Sequence, residues 1–223
     1  KAFDTVSHSK LLKKLGAILK NSSLVDLIAN FLFNRSQYVS FNSGNSSQIK
    51  VTSGAPQGSV LGPLLFFIFI NDLPQSITCE LRLYADDCVL YNTINSVQDH
   101  YLLNDSFSAF CSWCDTWQMN INFRKTVSMS FTTKTQTSVF NYSFNDLMLQ
   151  RVSDYKYLGV IFTTTLSWYK HINSVCTKSL KKLGYLRRTL RTSPHETKLL
   201  MYKTLIRPVL DYASIVWCPY KKK

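Results

Sequence analysis

The sequence predicts an α+β fold, in which strands and helices segregate into layers, and three observations predict it. Residues 11–19 and 24–33 carry apolar side chains three and four apart, the spacing of two consecutive helix faces. Leu81-Arg82-Leu83-Tyr84 and Val89-Leu90-Tyr91 are short runs of strand formers on either side of Asp86-Asp87, the pattern of a hairpin. From residue 168 onward the period is helical again, so the order is helices, hairpin, helix, strands, helices rather than alternating βαβ units. With 223 residues, of which 45% are hydrophobic and 17% charged, the chain can bury a core of one or two globular units.

Taken in order, the chain is expected to open on an extended segment. The first two helices follow, and Asn21-Ser22-Ser23 between them can cap the second. Residues 38–41 and 49–52 flank the turn-rich Asn42-Ser43-Gly44-Asn45-Ser46 and read as a hairpin. A loop at 53–59 has Gly54, Pro56 and Gly58 at alternate positions, and in the apolar run after it Pro63 falls where a first helical turn tolerates proline. After the Asp86-Asp87 hairpin, Leu103, Phe107, Phe110, Cys114 and Trp117 recur at four, three, four and three, a helix stripe packed on that sheet. Strands are expected near 126–131 and 157–162. Beyond Trp168, Ile172, Cys176, Leu180, Leu183, Leu186 and Leu190 form one helix face, and a last helix at 198–206 should end before Pro208. A boundary near residue 163 divides two expected domains, 1–162 and 163–223.

Lys and Arg number 26 against 13 Asp and Glu, a surplus of +13 that points to a polyanionic partner such as nucleic acid. Membrane-surface proteins and solvated basic surfaces share that composition. The six cysteines lack the dense spacing of a secreted disulfide scaffold, which favours a reducing, intracellular compartment. Cys111 and Cys114 form a C-x-x-C without a second pair at metal-finger spacing, so both read as core thiols. The longest apolar run, 60–70, is too short to cross a bilayer and is broken by Gly62-Pro63. His8, His100, His171 and His195 are scattered, with no case for a zinc site or an acid-base histidine.

Adjacent carboxylates at a hairpin tip repel one another, an arrangement that a divalent cation between them makes tolerable. Alone, Asp-Asp is more often an ordinary turn. The wider series changes that balance. Lys1-Ala2-Phe3-Asp4-x-Val6, Gly54-Ala55-Pro56-Gln57-Gly58-Ser59-Val60-Leu61-Gly62-Pro63, Tyr84-Ala85-Asp86-Asp87, Asn122-x-x-Lys125-Thr126 and Tyr157-Leu158-Gly159 resemble, in order, successive blocks of reverse transcriptases. Leu64-Leu65-Phe66, Asn71-Asp72-Leu73-Pro74 and Leu205-Ile206-x-Pro208-x-Leu210-x-Tyr212 look most like the jockey and CR1 groups of LINE-type, non-LTR retrotransposons.

The resemblance implies an RNA-directed DNA polymerase: a palm, with an antiparallel sheet packed on helices, over 1–162 and a partial helical thumb over 163–223. Its partners would be an RNA template, a DNA primer and deoxynucleoside triphosphates, with no membrane. Asp86 and Asp87 would hold two Mg²⁺ ions, with Mn²⁺ as a substitute, and Lys125 would stand near the pyrophosphate leaving group. Phe3 would press on the sugar and exclude a 2′-hydroxyl, while Gln57 and Gly58 would contact nucleotide and template. Tyr157, Leu158 and Gly159 would grip the primer end, and Lys178, Lys181, Lys182, Arg187 and Arg188 would meet nucleic-acid phosphates. In the family a further metal-binding Asp lies three residues before the position of Lys1, so little activity is expected of residues 1–223 alone. A group II intron or retron enzyme, which shares the central blocks, and a non-catalytic nucleic-acid-binding remnant are the alternatives. A parent element that must reach genomic DNA would act in the nucleus.

Overall fold

The computed structural model describes residues 2–134 and 139–218; Lys1, which opens the first block, and Lys221, Lys222 and Lys223 lie outside them. The chain divides into two units, residues 1–126 with 140–149, and residues 127–139 with 150–223. This division differs from a boundary near 163, because the strands just before that position pair and pack with the carboxy-terminal helices.

In the first unit the opening residues Ala2–Thr5 form a 3₁₀ turn rather than the expected extended segment, closed by the Thr5 hydroxyl donating to the Ala2 carbonyl at 3.0 Å. Helices α1 (His8–Ile18) and α2 (Ser22–Leu32) follow as expected, and the Asn21 side chain accepts from the Leu24 amide at 3.3 Å. The anticipated hairpin is doubled: β1 (Ser36–Gln37) pairs with β4 (Ile49–Lys50), and inside it β2 (Ser40–Phe41) pairs with β3 (Gly44–Asn45). The inner turn places Asn42 and Ser43 at φ +45° and +65°, the two left-handed positions of a tight hairpin. Helix α3 (Leu61–Ile70) then buries Leu65, Phe66, Phe69 and Ile70 and leaves Leu64 and Phe67 exposed.

Strands β5 (Glu80–Tyr84) and β6 (Asp87–Tyr91) pair antiparallel, and α4 (Val97–Trp117) starts earlier than its apolar stripe suggests. Its start is fixed by a capping box, in which Ser96 and Asp99 satisfy each other's backbone amides. The core gathers Val6, Leu11, Leu15, Leu32, Leu65, Phe66, Phe69, Leu73 and Trp113. Phe69 meets Trp113 and Trp117 edge-on, at 6.3 and 5.9 Å between ring centres. Cys111 and Cys114 are buried in α4, as expected of core thiols, and burial pushes both up to about 12. Lys14 is buried too: its ammonium donates to the Phe69 carbonyl and to Asp72, each at 2.5 Å, and lies 3.6 Å from the Trp117 ring centre. Burial lowers its pKa against the opposing pull of Asp72. A small hairpin, β8 (Ser143–Phe144) and β9 (Leu147–Met148), closes the unit on α4, with the Ser143 amide donating to Asn104 at 2.9 Å.

The second unit contains β7 (Val127–Ser128), parallel to β10 (Gln150–Arg151), and the antiparallel hairpin β11 (Asp154–Tyr157) and β12 (Val160–Thr163). The long helix α5 (Tyr169–Thr189) packs on β12. Its buried face is rotated from the expected one: His171 and Ser179 are buried, whereas Leu180 is 66% exposed and Cys176 is exposed. The helix α6 (His195–Met201) does not stop ahead of Pro208. It passes through a π turn at Tyr202–Ile206 into α7 (Arg207–Asp211), where Pro208 occupies the first turn and its missing N–H costs nothing, and α8 (Ser214–Trp217) follows. Overall the structure is a mixed fold of helices and small sheets. Among the described residues each sheet has two strands, and all but one of these pairs are antiparallel.

Candidate functional site

The 3₁₀ turn at the start of the chain is docked on the 53–59 loop by its main chain. Ala55 donates to the Phe3 carbonyl and Gly54 to the Val6 carbonyl, both at 2.8 Å, and the Ser53 hydroxyl donates to the Asp4 carbonyl at 2.9 Å. His8, 3% exposed, completes the clamp through Nε2, which donates to the Gly54 carbonyl at 2.8 Å. Gly54 is required here: at φ +94° a β-carbon would stand 2.9 Å from the Cα of Asp4. Phe3 and the glycine loop, predicted from separate blocks, are thus brought together. The Phe3 ring lies stacked on buried Phe66 at 4.2 Å and 20°, so one of its faces is fixed by the core. Gln57, exposed on the loop, donates through Nε2 to Asp4 Oδ1 at 2.6 Å. Gly58, at φ +78°, faces open space, so its conformation rather than its packing calls for glycine, and a ligand can approach the backbone there.

Asp86 and Asp87 occupy the tip of the β5–β6 hairpin. Tyr84 pairs with Asp87, which leaves Ala85 and Asp86 as the two turn residues, with Ala85 in the left-handed region at φ +51°. Leu81 and Leu83 of β5 pack against the same core that carries Phe3, which anchors the hairpin from below. Both carboxylates are exposed. Two adjacent hard oxygen donors suit a Mg²⁺-type cation that keeps water and takes its other ligands from substrate phosphates. Among the described residues no group of three or more His, Cys, Asp or Glu is placed to hold a metal.

Lys125 is exposed on a turn organised by Asn122, whose carbonyl accepts from the Lys125 and Thr126 amides at 2.9 and 3.1 Å and from the Thr126 hydroxyl at 3.1 Å. The spacing Asn122-x-x-Lys125-Thr126 therefore encodes one compact turn. In the second unit, Tyr157 pairs with Val160 across a tight turn in which Leu158 and Gly159 have φ +44° and +85°. The Tyr212 hydroxyl donates to the Leu158 carbonyl at 2.8 Å. Of the basic side chains predicted to meet phosphates, Lys178, Lys181, Arg187 and Arg188 are exposed on α5, a helix with no acidic residue. Lys182 departs from that set: it is half-buried and its ammonium donates to the Leu205 carbonyl at 3.0 Å, which ties α5 to the following helices. A shallow groove along α5 is lined by Lys170, Asn173, Thr177, Lys178 and Lys181.

The family model of reverse transcriptase (RNA-dependent DNA polymerase) matches residues 1–162. The chain belongs to the reverse transcriptase family. It is similar to the RNA-directed DNA polymerase from mobile element jockey of Drosophila funebris, at 31% identity over 97% of this chain and 25% of that protein. It is likewise similar to the probable RNA-directed DNA polymerase from transposon X-element of Drosophila melanogaster, at 30% identity over 97% of this chain and 25% of that relative. Transposon BS of the same species encodes a third such relative, 27% identical over the same shares of each chain. These likenesses place it among the reverse-transcriptase sequences of non-LTR retrotransposons, and the chain spans about a quarter of the length of the curated relatives it matches.

Three residues important to this geometry carried no assigned role in the sequence. Asp4 lay in a block read only as resemblance and fixes the Gln57 amide. Phe66 lay in a block read only as resemblance and backs Phe3. Tyr212 lay in the final block, and nothing in its spacing linked it to a turn more than fifty residues earlier; only the paired presence of both blocks could have prompted the connection.

Proposed function

We propose that this chain provides the nucleotidyl-transfer centre and part of the nucleic-acid cleft of an RNA-directed DNA polymerase, with residues 1–162 as palm and 163–223 as part of a thumb. The observation that carries the reading is the main-chain docking of the Phe3 segment on the Gln57-Gly58 loop, over a core that also anchors the Asp86-Asp87 hairpin. The substrates are a DNA primer annealed to an RNA template and deoxynucleoside triphosphates.

Phe3, immobilised on Phe66, presents a wall against which a sugar with a 2′-hydroxyl would clash. Gln57, its Nε2 held by Asp4, keeps its carbonyl oxygen available to accept from the nucleotide or template base. The bare Gly58 backbone lets the base pair approach closely. Asp86 and Asp87 would hold Mg²⁺, or Mn²⁺ in its place, and two such ions, when bound, lower the pKa of the primer 3′-hydroxyl and neutralise charge on the triphosphate. Lys125 supplies a cation for the departing pyrophosphate. The Tyr157–Leu158–Gly159 turn holds the primer end, and the exposed cations of α5 contact backbone phosphates without reading sequence.

Primer extension by the intact protein on poly(rA)/oligo(dT) with Mg²⁺ tests this reading. Asp86→Asn should lower incorporation by at least about a thousandfold, because a neutral amide cannot hold the cation that the chemistry requires. Near-normal extension by that variant would reject the assignment, and a folded wild type that binds duplex without extending it would favour the non-catalytic remnant. Phe3→Val should admit ribonucleotides; unchanged sugar selectivity would remove Phe3 from the gate.

A further inference from the structure

The carboxy-terminal segment of the second unit returns to the Tyr157–Val160 turn and is locked in place by a continuous set of contacts. The main chain leaves α7 at Tyr212, whose amide still donates to the Pro208 carbonyl at 3.1 Å, and reverses through Ala213 at φ +53° into α8. Trp217 of α8 reaches back, donating through Nε1 to the Tyr212 carbonyl at 2.8 Å. The Trp217 and His171 rings meet edge to face with centres 5.1 Å apart, and His171 Nδ1 accepts the Ile161 amide of β12 at 3.2 Å. The circuit closes on the turn. The Tyr212 hydroxyl donates to the Leu158 carbonyl at 2.8 Å, and its ring edge lies 3.0 Å from where a β-carbon on Gly159 would be.

A two-residue turn with both φ values positive has little of its own to hold it, since Leu158 pays a steric penalty in the left-handed region. Tyr212 makes up for that with one hydrogen bond to the Leu158 carbonyl and one ring over Gly159. That carbonyl would otherwise face water, and the bond fixes the plane of the peptide between the two residues.

We propose that Tyr212 is a positioning residue for the primer-binding turn: it sets the Leu158–Gly159 peptide in the orientation that receives the primer 3′ end. The proposal rests on the primer-side role given to Tyr157–Leu158–Gly159 above. Tyr212 itself touches no substrate. Its hydroxyl acts on the Leu158 carbonyl, and its ring explains why position 159 is glycine for packing as well as for φ.

The test compares, in the intact protein, equilibrium binding of two duplexes of equal length by fluorescence anisotropy, one with a recessed primer 3′ end and one blunt. Tyr212→Phe keeps the ring and removes the hydroxyl. It should reduce the preference for the recessed end by about three- to tenfold, the worth of one neutral hydrogen bond, while blunt-duplex affinity stays unchanged and the thermal midpoint falls by no more than the few degrees that the same bond is worth. An equal loss of both affinities would make Tyr212 merely structural and overturn the proposal. So would an unchanged preference in Tyr212→Phe when Tyr157→Ala lowers it. A wild type with no preference for the recessed end, or a preference that Tyr157→Ala leaves intact, would instead remove the primer-side reading of the turn and the proposal with it.

Discussion

Gly54 and Gly159 both hold positive φ, +94° and +85°, and both face a neighbour that leaves no room for a β-carbon, but the neighbours differ in kind. At Gly54 the obstacle is main chain: the Cα, carbonyl oxygen and carbonyl carbon of Asp4 at 2.9, 3.0 and 3.1 Å. At Gly159 it is the edge of one side chain, that of Tyr212, a residue 55% exposed. The Gly54 loop is therefore clamped backbone to backbone over a core of fully buried side chains, whereas the Gly159 turn is held by an aromatic ring that can be moved or removed. In the function proposed above, the first construction would shape the nucleotide pocket and the second the primer grip.

The largest effect should come from Gly54→Ala. The left-handed conformation costs about 1–2 kcal/mol for any residue with a β-carbon. The clash with Asp4 adds to it, since two hydrogen-bonded main chains cannot part without losing the bonds from Gly54 and Ala55. A loss of about 3 kcal/mol or more is expected in denaturant unfolding, with nucleotide incorporation lost as well. No side-chain substitution nearby should restore it, because no side chain is in the way. A Gly54→Ala protein of wild-type stability would show that the loop is not clamped as described.

Gly159→Ala should cost less, about 1–2 kcal/mol, mostly the conformational penalty. The remainder is recoverable. Adding Tyr212→Ala to Gly159→Ala vacates the space the new methyl needs, so the double variant should be more stable than the two single effects summed by about 0.5–1 kcal/mol. Strict additivity would mean that the ring already yields to the methyl, and the contrast between the two turns would shrink to one of degree.

Much of the nucleotide side could be read from the sequence because its signals are local. Asn21 before an apolar period announced the start of α2, and Pro63 the first turn of α3. Gly54, Pro56 and Gly58 at alternate positions marked a loop, and Asp86-Asp87 between two runs of strand formers fixed a hairpin tip. The docking of Phe3 on that loop was not local, and only the resemblance placed the two together. In the second unit the signals misled. Counting apolar residues along α5 put Cys176 and Leu180 inside, yet His171 and Ser179 take the buried positions; at His171 the reason is the Ile161 amide of β12, which only a polar side chain can accept. Pro208 read as a stop because a proline cannot donate to the preceding turn, and the π turn before it removes that demand. The first turn of α4 was missed although Ser96 and Asp99 stand at capping-box spacing, since the apolar stripe begins a turn and a half later.

The smallest expected effect concerns His171 and separates the two sides by pH. Its ring is 2% exposed, and Nδ1 accepts the Ile161 amide, so the neutral ring carries its proton on Nε2, which has no hydrogen-bond partner among the described residues. A second proton would have to enter at Nδ1 and expel the Ile161 bond. Burial, with a further push from the charge of Lys156, accordingly holds its pKa below the ordinary imidazole value. The sign follows from linkage: with the folded value below the unfolded one, the unfolded chain binds the extra proton first. The stabilisation is full above about pH 6.5, the unfolded value, and is lost as pH falls from there through the folded value. Thermal midpoints measured from pH 8 down to pH 5 should therefore decline on the acid side, and His171→Asn, which keeps an acceptor for the Ile161 amide but cannot titrate, should flatten that decline. The recessed-end preference, read across the same range, should weaken together with the midpoint, because His171 and Tyr212 meet through Trp217. If the acid limb persists undiminished in His171→Asn, the proton is taken up elsewhere and the brace behind the primer-side turn is not pH-sensitive.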